Sequence, residues 1–71
     1  MHVLTLPEQD YLYGSGPLRL RVEHVDVDRP FAYDGEDWYG VSGVQLDHAG
    51  ADLHAVQVLV RGRRIPAALR T

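Results

Sequence analysis

Three side chains with metal-ligating chemistry surround one predicted turn: His48, Asp52 and His54. Imidazole nitrogens and carboxylate oxygens bind zinc when three or four of them converge with defined spacing. In a hairpin, however, only alternate residues share a face of the sheet, and Asp52 falls in the turn itself. The pattern favours surface histidines around a polar turn, and we predict no metal and no other cofactor. An enzyme or metal protein built on these residues ranks third among our hypotheses.

Other residues that could perform catalysis lack the surroundings that catalysis needs. Ser15 lies between two glycines, which is similar to a nucleophile elbow, but that motif requires a strand, a turn and a helix. The carboxylate pairs Asp26/Asp28 and Glu36/Asp37 fall in turn-rich sequence, where acids are solvated rather than enclosed in a cleft. We therefore predict no enzymatic activity and no catalytic residue.

The aromatic residues all occur within the first 39 residues, in three pairs near predicted strand ends or loops. One interpretation is that most of them, Trp38 and Phe31 included, fill the core. The other is that part of this surface is exposed, because Tyr11 and Tyr13 would share one face of a strand, and because one of two neighbours in a strand points outward. Tyr, Trp and Arg dominate binding hot spots. We predict partner-binding residues at Tyr11, Tyr13, Phe31, Tyr33, Trp38 and Tyr39.

Two segments of the chain carry charges of opposite sign. Residues 23–37 contain six acids and one arginine, whereas residues 61–71 contain four arginines and no acid. Such segments can pair with each other, with a second copy of the chain or with a partner. We predict partner-binding residues at Arg61, Arg63 and Arg64. The alternative is a solvated strand end that pairs with the acidic segment.

Strands must position these side chains, and the clearest one is predicted over residues 17–27. Its apolar residues alternate with charged ones up to Val22 and resume after an odd step at Val25, so the apolar set changes face at Glu23-His24. A β-bulge has this effect and bends a strand where a sheet curls. The alternative is that the strand ends near Glu23. A turn rich in glycine precedes it and predicts a short partner strand over residues 10–13.

The remaining sequence predicts further strands separated by turns. Pro30 and the Asp34-Gly35 pair indicate a loop. The predicted elements are a loop over residues 28–37, a strand over 38–46, a turn over 47–52, a strand over 53–61 with a helix as the alternative, and a short helical turn at 67–69. These elements predict one mainly β domain over residues 1–71, a small antiparallel barrel or sandwich of about five strands.

Two short stretches resemble parts of SH3-type small barrels. Asp37-Trp38-Tyr39 resembles the acidic-then-aromatic start of their third strand, and residues 62–69 are similar to their closing strand, proline and 3₁₀ turn. The resemblance implies a small barrel of SH3-like size. It implies no functional residue, since the N-terminal aromatic motif with which that family binds peptides is absent.

These observations predict a non-enzymatic protein-interaction module that docks on a larger partner protein, or on itself, through an aromatic and acidic surface and a strand edge. The alternative is a weak nucleic-acid-binding barrel that uses Arg61 to Arg64 and stacks bases on Tyr11 or Tyr13. The net charge of −3 argues against that alternative. The chain has no cysteine, no signal-peptide pattern and no apolar run of membrane-spanning length, so we expect a cytoplasmic protein without a membrane partner.

Overall fold

A four-stranded antiparallel sheet makes up most of the domain. The computed structural model describes residues 2–69, and 63% of it is strand. The strands curl into a half-barrel in the spatial order β1-β2-β3-β4, which confirms the predicted fold class. They are β1 (His2–Leu6), β2 (Leu18–Tyr33), β3 (Glu36–Leu46) and β4 (Asp52–Arg61), with single 3₁₀ turns at Glu8–Asp10, Gly62–Arg64 and Ala67–Leu69.

The strand predicted over residues 10–13 is wrong. Asp10 ends a 3₁₀ turn, and Tyr11 forms one isolated bridge with Val60 of β4. Tyr13 has a φ of 68°, a left-handed conformation that interrupts an extended chain. The strand that pairs with the start of β2 is instead β1, where Leu6 lies opposite Leu18.

The predicted bulge in β2 is confirmed. Val22 lies opposite Gly43 and His24 lies opposite Ser42, so Glu23 is an extra residue without a partner on β3. The insertion returns Val25 to the core face, where only 8% of its surface is exposed. The strand therefore changes direction at the bulge and continues to bury its apolar residues.

The predicted loop over residues 28–37 is wrong, because β2 continues to Tyr33 and only Asp34 and Gly35 form the turn. Both turn residues have positive φ, 54° and 74°, as a type I′ hairpin requires. Pro30 is tolerated because it lies in a second irregularity. Asp26 lies opposite Gly40 and Phe31 opposite Trp38, so the four intervening residues face only one residue of β3. The missing N–H of proline is therefore not needed by the sheet.

The hydrophobic core lies inside the curl of the sheet. Tyr39 and Val56 border it, so their neighbours along each strand point to the opposite face. Trp38 is such a neighbour; it is 1% exposed yet packs outside this core, beside Phe31 and Arg61 of the flanking strands. The buried members of the core are Leu6, Tyr11, Leu18, Leu20, Val25, Val41, Val60 and Ile65.

The strand and the final turn predicted for the C-terminal third of the chain are confirmed, but the closing strand implied by the SH3-type resemblance is replaced by a 3₁₀ turn at Gly62–Arg64. The segment from Asp52 to Arg61 is a strand and not a helix, and it pairs with β3 along its length. A 3₁₀ turn at Ala67–Leu69 confirms the predicted helical turn. Ile65, between the last two turns, is 2% exposed and joins the core, so the tail is anchored to the sheet by one buried side chain.

Candidate protein-interaction surface

The hairpin that joins β2 and β3 presents two exposed aromatic rings. Phe31 is 42% exposed and Tyr33 is 50% exposed. Their rings are stacked, with centroids 6.3 Å apart and planes inclined by 16°. Trp38 meets Tyr33 edge-on at 6.0 Å and donates a 2.9 Å hydrogen bond from Nε1 to the Tyr33 carbonyl. The buried tryptophan thus fixes the hairpin end on which the exposed rings sit.

Acidic residues lie in the same hairpin as these rings. The hairpin from Glu23 to Asp37 contains six acidic residues, and of these only Glu36 forms an ion pair within residues 2–69. Asp26 instead accepts a 3.3 Å hydrogen bond from the Asp28 amide. We call the exposed rings of Phe31 and Tyr33, together with the exposed acids of the same hairpin, the hairpin surface. It combines apolar ring surface with negative charge.

Arg61 lies under the hairpin surface and joins it to the rest of the domain. Its guanidinium carbon lies 4.6 Å from the centre of the Trp38 ring, a cation–π contact. Its Nε donates to Asp10 Oδ1 at 3.1 Å, its Nη1 to Glu36 Oε2, and its Nη2 to the Gln9 carbonyl at 2.9 Å. The Arg61 side chain is only 11% exposed. The guanidinium is therefore enclosed, and each of its three nitrogens donates a hydrogen bond within the domain.

The other two arginines of the predicted basic cluster also pair with acids of the chain. Arg64 Nε lies 3.1 Å from Asp10 Oδ2, and Arg63 Nε lies 3.6 Å from Glu36 Oε1. Arg70, the fourth arginine of the basic segment, lies outside the described residues. The basic segment therefore pairs with the acidic segment of the same chain, which was the alternative prediction, and Glu36 is the acid through which it does so. Asp10 pairs with both Arg61 and Arg64. The sequence did not predict this role, because Asp10 lies 51 positions before Arg61 in the chain.

The remaining predicted aromatics are not on the hairpin surface. Tyr11 is buried, and its hydroxyl donates a 2.7 Å hydrogen bond to the Gly16 carbonyl. Tyr13 is 89% exposed. The expectation that these two tyrosines share one face is wrong because the segment is not a strand. Tyr39 is half-buried against the core. The interpretation that Phe31 fills the core is also wrong.

The residues considered as metal ligands do not form a metal centre in the structure. Residues 2–69 contain no group of three His, Cys, Asp or Glu side chains placed to hold a metal ion. Asp52 is instead held by Arg21, whose Nη1 and Nη2 donate to the two carboxylate oxygens at 2.6 and 3.1 Å. The pair joins the two strands that flank β3.

This ion pair gives a pH-dependent prediction. The hydrogen bond from Arg21 lowers the pKa of Asp52 below its ordinary value. A lowered folded-state pKa contributes stability above the unfolded pKa, and that stability is lost as the pH falls through the folded value. The substitution Arg21→Gln should therefore raise the pKa of Asp52, as measured by NMR titration of its side chain. An unchanged pKa would show that the pair does not persist in solution.

A groove beside β4 is the second surface feature. It has a volume of about 520 Å³ and lies between β4 and the segment from Tyr11 to Leu18. The Leu12 amide donates a 3.0 Å hydrogen bond to the Leu59 carbonyl, so this segment pairs with β4 at one point. Beyond that point β4 is the last strand of the sheet. Within residues 2–69 the domain thus has a strand edge that is unpaired beyond Leu59 and lies next to a groove that the sequence did not predict.

No helix in the described part of the chain has the length and apolar character needed to cross a membrane. No protein family, curated protein or solved structure matches the sequence or the fold of this chain. Its function must therefore be argued from the hairpin surface and the groove.

Proposed function

We propose that this domain is a non-enzymatic protein-interaction module that docks its hairpin surface onto arginine side chains of a partner protein. A strand edge adjoining the groove contributes a second contact. Self-association through the same surface is the alternative outcome. We also propose a cytoplasmic location, since the chain has no cysteine and small domains of oxidising compartments usually contain disulfides.

The observation that carries the proposal is the rigid, exposed pair of rings. Large aromatic side chains supply most of the binding energy at protein interfaces when they are preorganised. Phe31 and Tyr33 are stacked on each other, and Trp38 holds the backbone of Tyr33 by a hydrogen bond. The two side chains therefore lose little conformational entropy when a partner binds.

Arginine is the partner chemistry that this surface fits best. A guanidinium stacks on aromatic rings and forms charge-assisted hydrogen bonds with carboxylates at the same time. Phe31 and Tyr33 offer the rings, and Asp34, which follows Tyr33 in the sequence, is an exposed carboxylate. Arg61 already makes this pair of contacts inside the domain, with Trp38 and with Asp10 and Glu36.

A peptide-binding measurement tests the proposal. The probes are two fluorescein-labelled peptides, one alternating glycine with arginine and one alternating glycine with lysine. We expect tighter binding of the arginine peptide, and an about ten-fold loss of its affinity in the double variant Phe31→Ala, Tyr33→Ala, as for a hot-spot pair. Fluorescence anisotropy gives both dissociation constants.

The matched control is Leu53→Ala, because Leu53 is 52% exposed but lies on β4, away from the hairpin. It should bind the arginine peptide as the wild type does. Equal affinities in all three proteins, or no preference for arginine over lysine, would contradict the proposal. Light scattering after size exclusion decides whether the hairpin surface instead joins two copies.

The nucleic-acid alternative has less support. Arg61 is enclosed, Arg64 is paired with Asp10, and Arg63, although 69% exposed, lies beside Glu36. Two partly neutralised arginines offer few phosphate contacts, so binding would be weak and would fall steeply with salt. A mobility-shift titration with a single-stranded oligonucleotide at about 50 mM salt tests this alternative. We expect no complex, and a shifted band would favour nucleic-acid binding.

A further inference from the structure

The outer edge of β4 has backbone hydrogen-bonding groups that the sheet does not use. The Leu59 carbonyl points outward, since it accepts the hydrogen bond from the Leu12 amide. Alternate residues of a strand direct their backbone groups to the same edge, so those of Gln57 and Ala55 also point outward. β4 is the terminal strand of the sheet, and within residues 2–69 the contacts that pair with its outer edge are those of Tyr11 and Leu12 near Val60 and Leu59.

The groove runs beside this open edge. Val56 and Val58 contribute apolar surface from β4, and Leu12 and Pro17 contribute it from the opposite side. We propose that an extended, uncharged peptide segment of a partner protein binds here by adding a strand to β4. This inference deepens the proposed function and rests on it for the claim that the domain binds proteins, but the site and its ligand differ from those of the hairpin surface.

The composition of the groove determines the character of the ligand. Among the described residues that line it none is charged, although charged residues make up 24% of the chain. A charged side chain placed here would lose hydration without gaining a partner. Side chains of an added strand alternate between the two faces, so every second residue of the ligand would enter the groove. The ligand is therefore a segment with uncharged residues at the alternate positions that enter the groove.

The walls of the groove favour a single strand over a second copy of the domain. Residues of β4 and residues of the segment from Tyr11 to Leu18 line the same cavity, so it is bounded on both sides. An edge strand of another copy has its own neighbouring strand on its far side, which would collide with the second wall. A lone extended segment has no such neighbour and fits between the walls.

The wall opposite β4 is held in place before any ligand binds. The Tyr11 hydroxyl donates to the Gly16 carbonyl, and the Gly16 amide donates to Glu8 Oε1, both at 2.7 Å. Tyr13 stands on this wall, 89% exposed, in a left-handed conformation that is strained for a residue with a side chain. An exposed aromatic ring held at a conformational cost beside an uncharged groove is well placed to cover a bound strand.

The test uses NMR spectra of the full chain titrated with a capped heptapeptide that alternates valine and threonine. We expect the amide resonances of Ala55 and Gln57 to shift, and their hydrogen exchange to slow about ten-fold at saturation, because an added strand protects outward amides. The control is the same peptide N-methylated at alternate residues, which cannot form the ladder and should leave these amides unchanged.

Two variants separate binding from folding. Gln57→Pro removes one outward N–H that the sheet does not use, so it should fold and lose peptide binding. Tyr13→Gly should weaken binding about five-fold, as loss of an aromatic contact does. Its thermal midpoint should be unchanged or higher, because glycine adopts positive φ without strain.

The outcomes also separate this site from the hairpin surface. Phe31→Ala should bind the valine–threonine peptide as the wild type does, whatever its effect on the arginine peptide. Equal shifts with the N-methylated peptide, or unchanged affinity in both Gln57→Pro and Tyr13→Gly, would overturn the inference. Slower exchange that depends on protein concentration without peptide would identify a second copy as the occupant and would equally overturn it.

Discussion

Replacing Gly43 by alanine is expected to cause the largest loss of stability of any single substitution considered for this domain. Gly43 lies opposite Val22 at the bulge, where β2 bends over β3. A Cβ built on Gly43 would overlap the carbonyl oxygen of Arg21 and would lie 3.0 Å from Leu20 Cδ1. The Arg21 carbonyl belongs to a backbone that two neighbouring strands hold, so it cannot move aside cheaply. We expect a loss of at least ~3 kcal/mol, at the upper end of overpacking costs.

A loss of this size removes most of the stability of a domain this small, which is about 5 kcal/mol. Gly40 provides the matched control, since it lies on the same strand but its Cβ would meet only Asp26 Cβ, at 3.9 Å. Gly40→Ala should fold as the wild type does. Circular dichroism and urea unfolding measure both variants. A urea midpoint of Gly43→Ala equal to that of the wild type would mean that β2 and β3 approach each other less closely in solution.

Replacing Asp10 by asparagine is expected to have the second largest effect. Asp10 and Arg61 have side chains 10% and 11% exposed, and Asp10 also holds Arg64. Removing one partner of a buried ion pair leaves the other charge poorly compensated, which costs about 3 kcal/mol. Glu36 still contacts Arg61 in this variant, so the loss falls at the lower end of what such changes cost. The urea midpoint should fall sharply.

Asp52→Asn is the control for this second prediction. It removes the same charge from an ion pair whose carboxylate is 58% exposed. Exposed pairs contribute little because water screens them, so its urea midpoint should remain close to that of the wild type. If the two variants had the same midpoint, burial would not be the property that makes the Asp10 pair important.

Features of the fold that depend on neighbouring residues could be predicted from the sequence. The odd step between Val22 and Val25 indicated the bulge, and Asp34-Gly35 indicated a turn, because both are local signals. The prediction of a loop around Pro30 was wrong, because Pro30 lies in an irregular stretch of β2 where no backbone N–H is needed for pairing with β3. The short β1 strand has too few residues for its pattern to stand out.

The candidate site was predictable by residue type and not by arrangement. Clustering identified Phe31, Tyr33 and Trp38, but which of them is buried depends on Arg61 and on the covering rings. The pairing of Asp10 with Arg61 joins residues far apart in the chain, and no local pattern carries that information. The groove also could not be predicted, because it forms where residues 11–18 pack beside β4, a contact between distant parts of the chain.

The irregular stretch of β2 from Val27 to Pro30 has a consequence for how such a domain diversifies. The pairs Asp26 with Gly40 and Phe31 with Trp38 fix the strand pairing on either side of this stretch. A change in the number of residues between them would therefore leave the register of β2 and β3 unchanged. Residues can be inserted or exchanged here without moving a core side chain to the wrong face. The segment adjoins the exposed rings, so its replacement would alter the surface next to Phe31 and Tyr33 while the sheet stays the same. Under the function that we propose, binding specificity could therefore change here without a change in the fold.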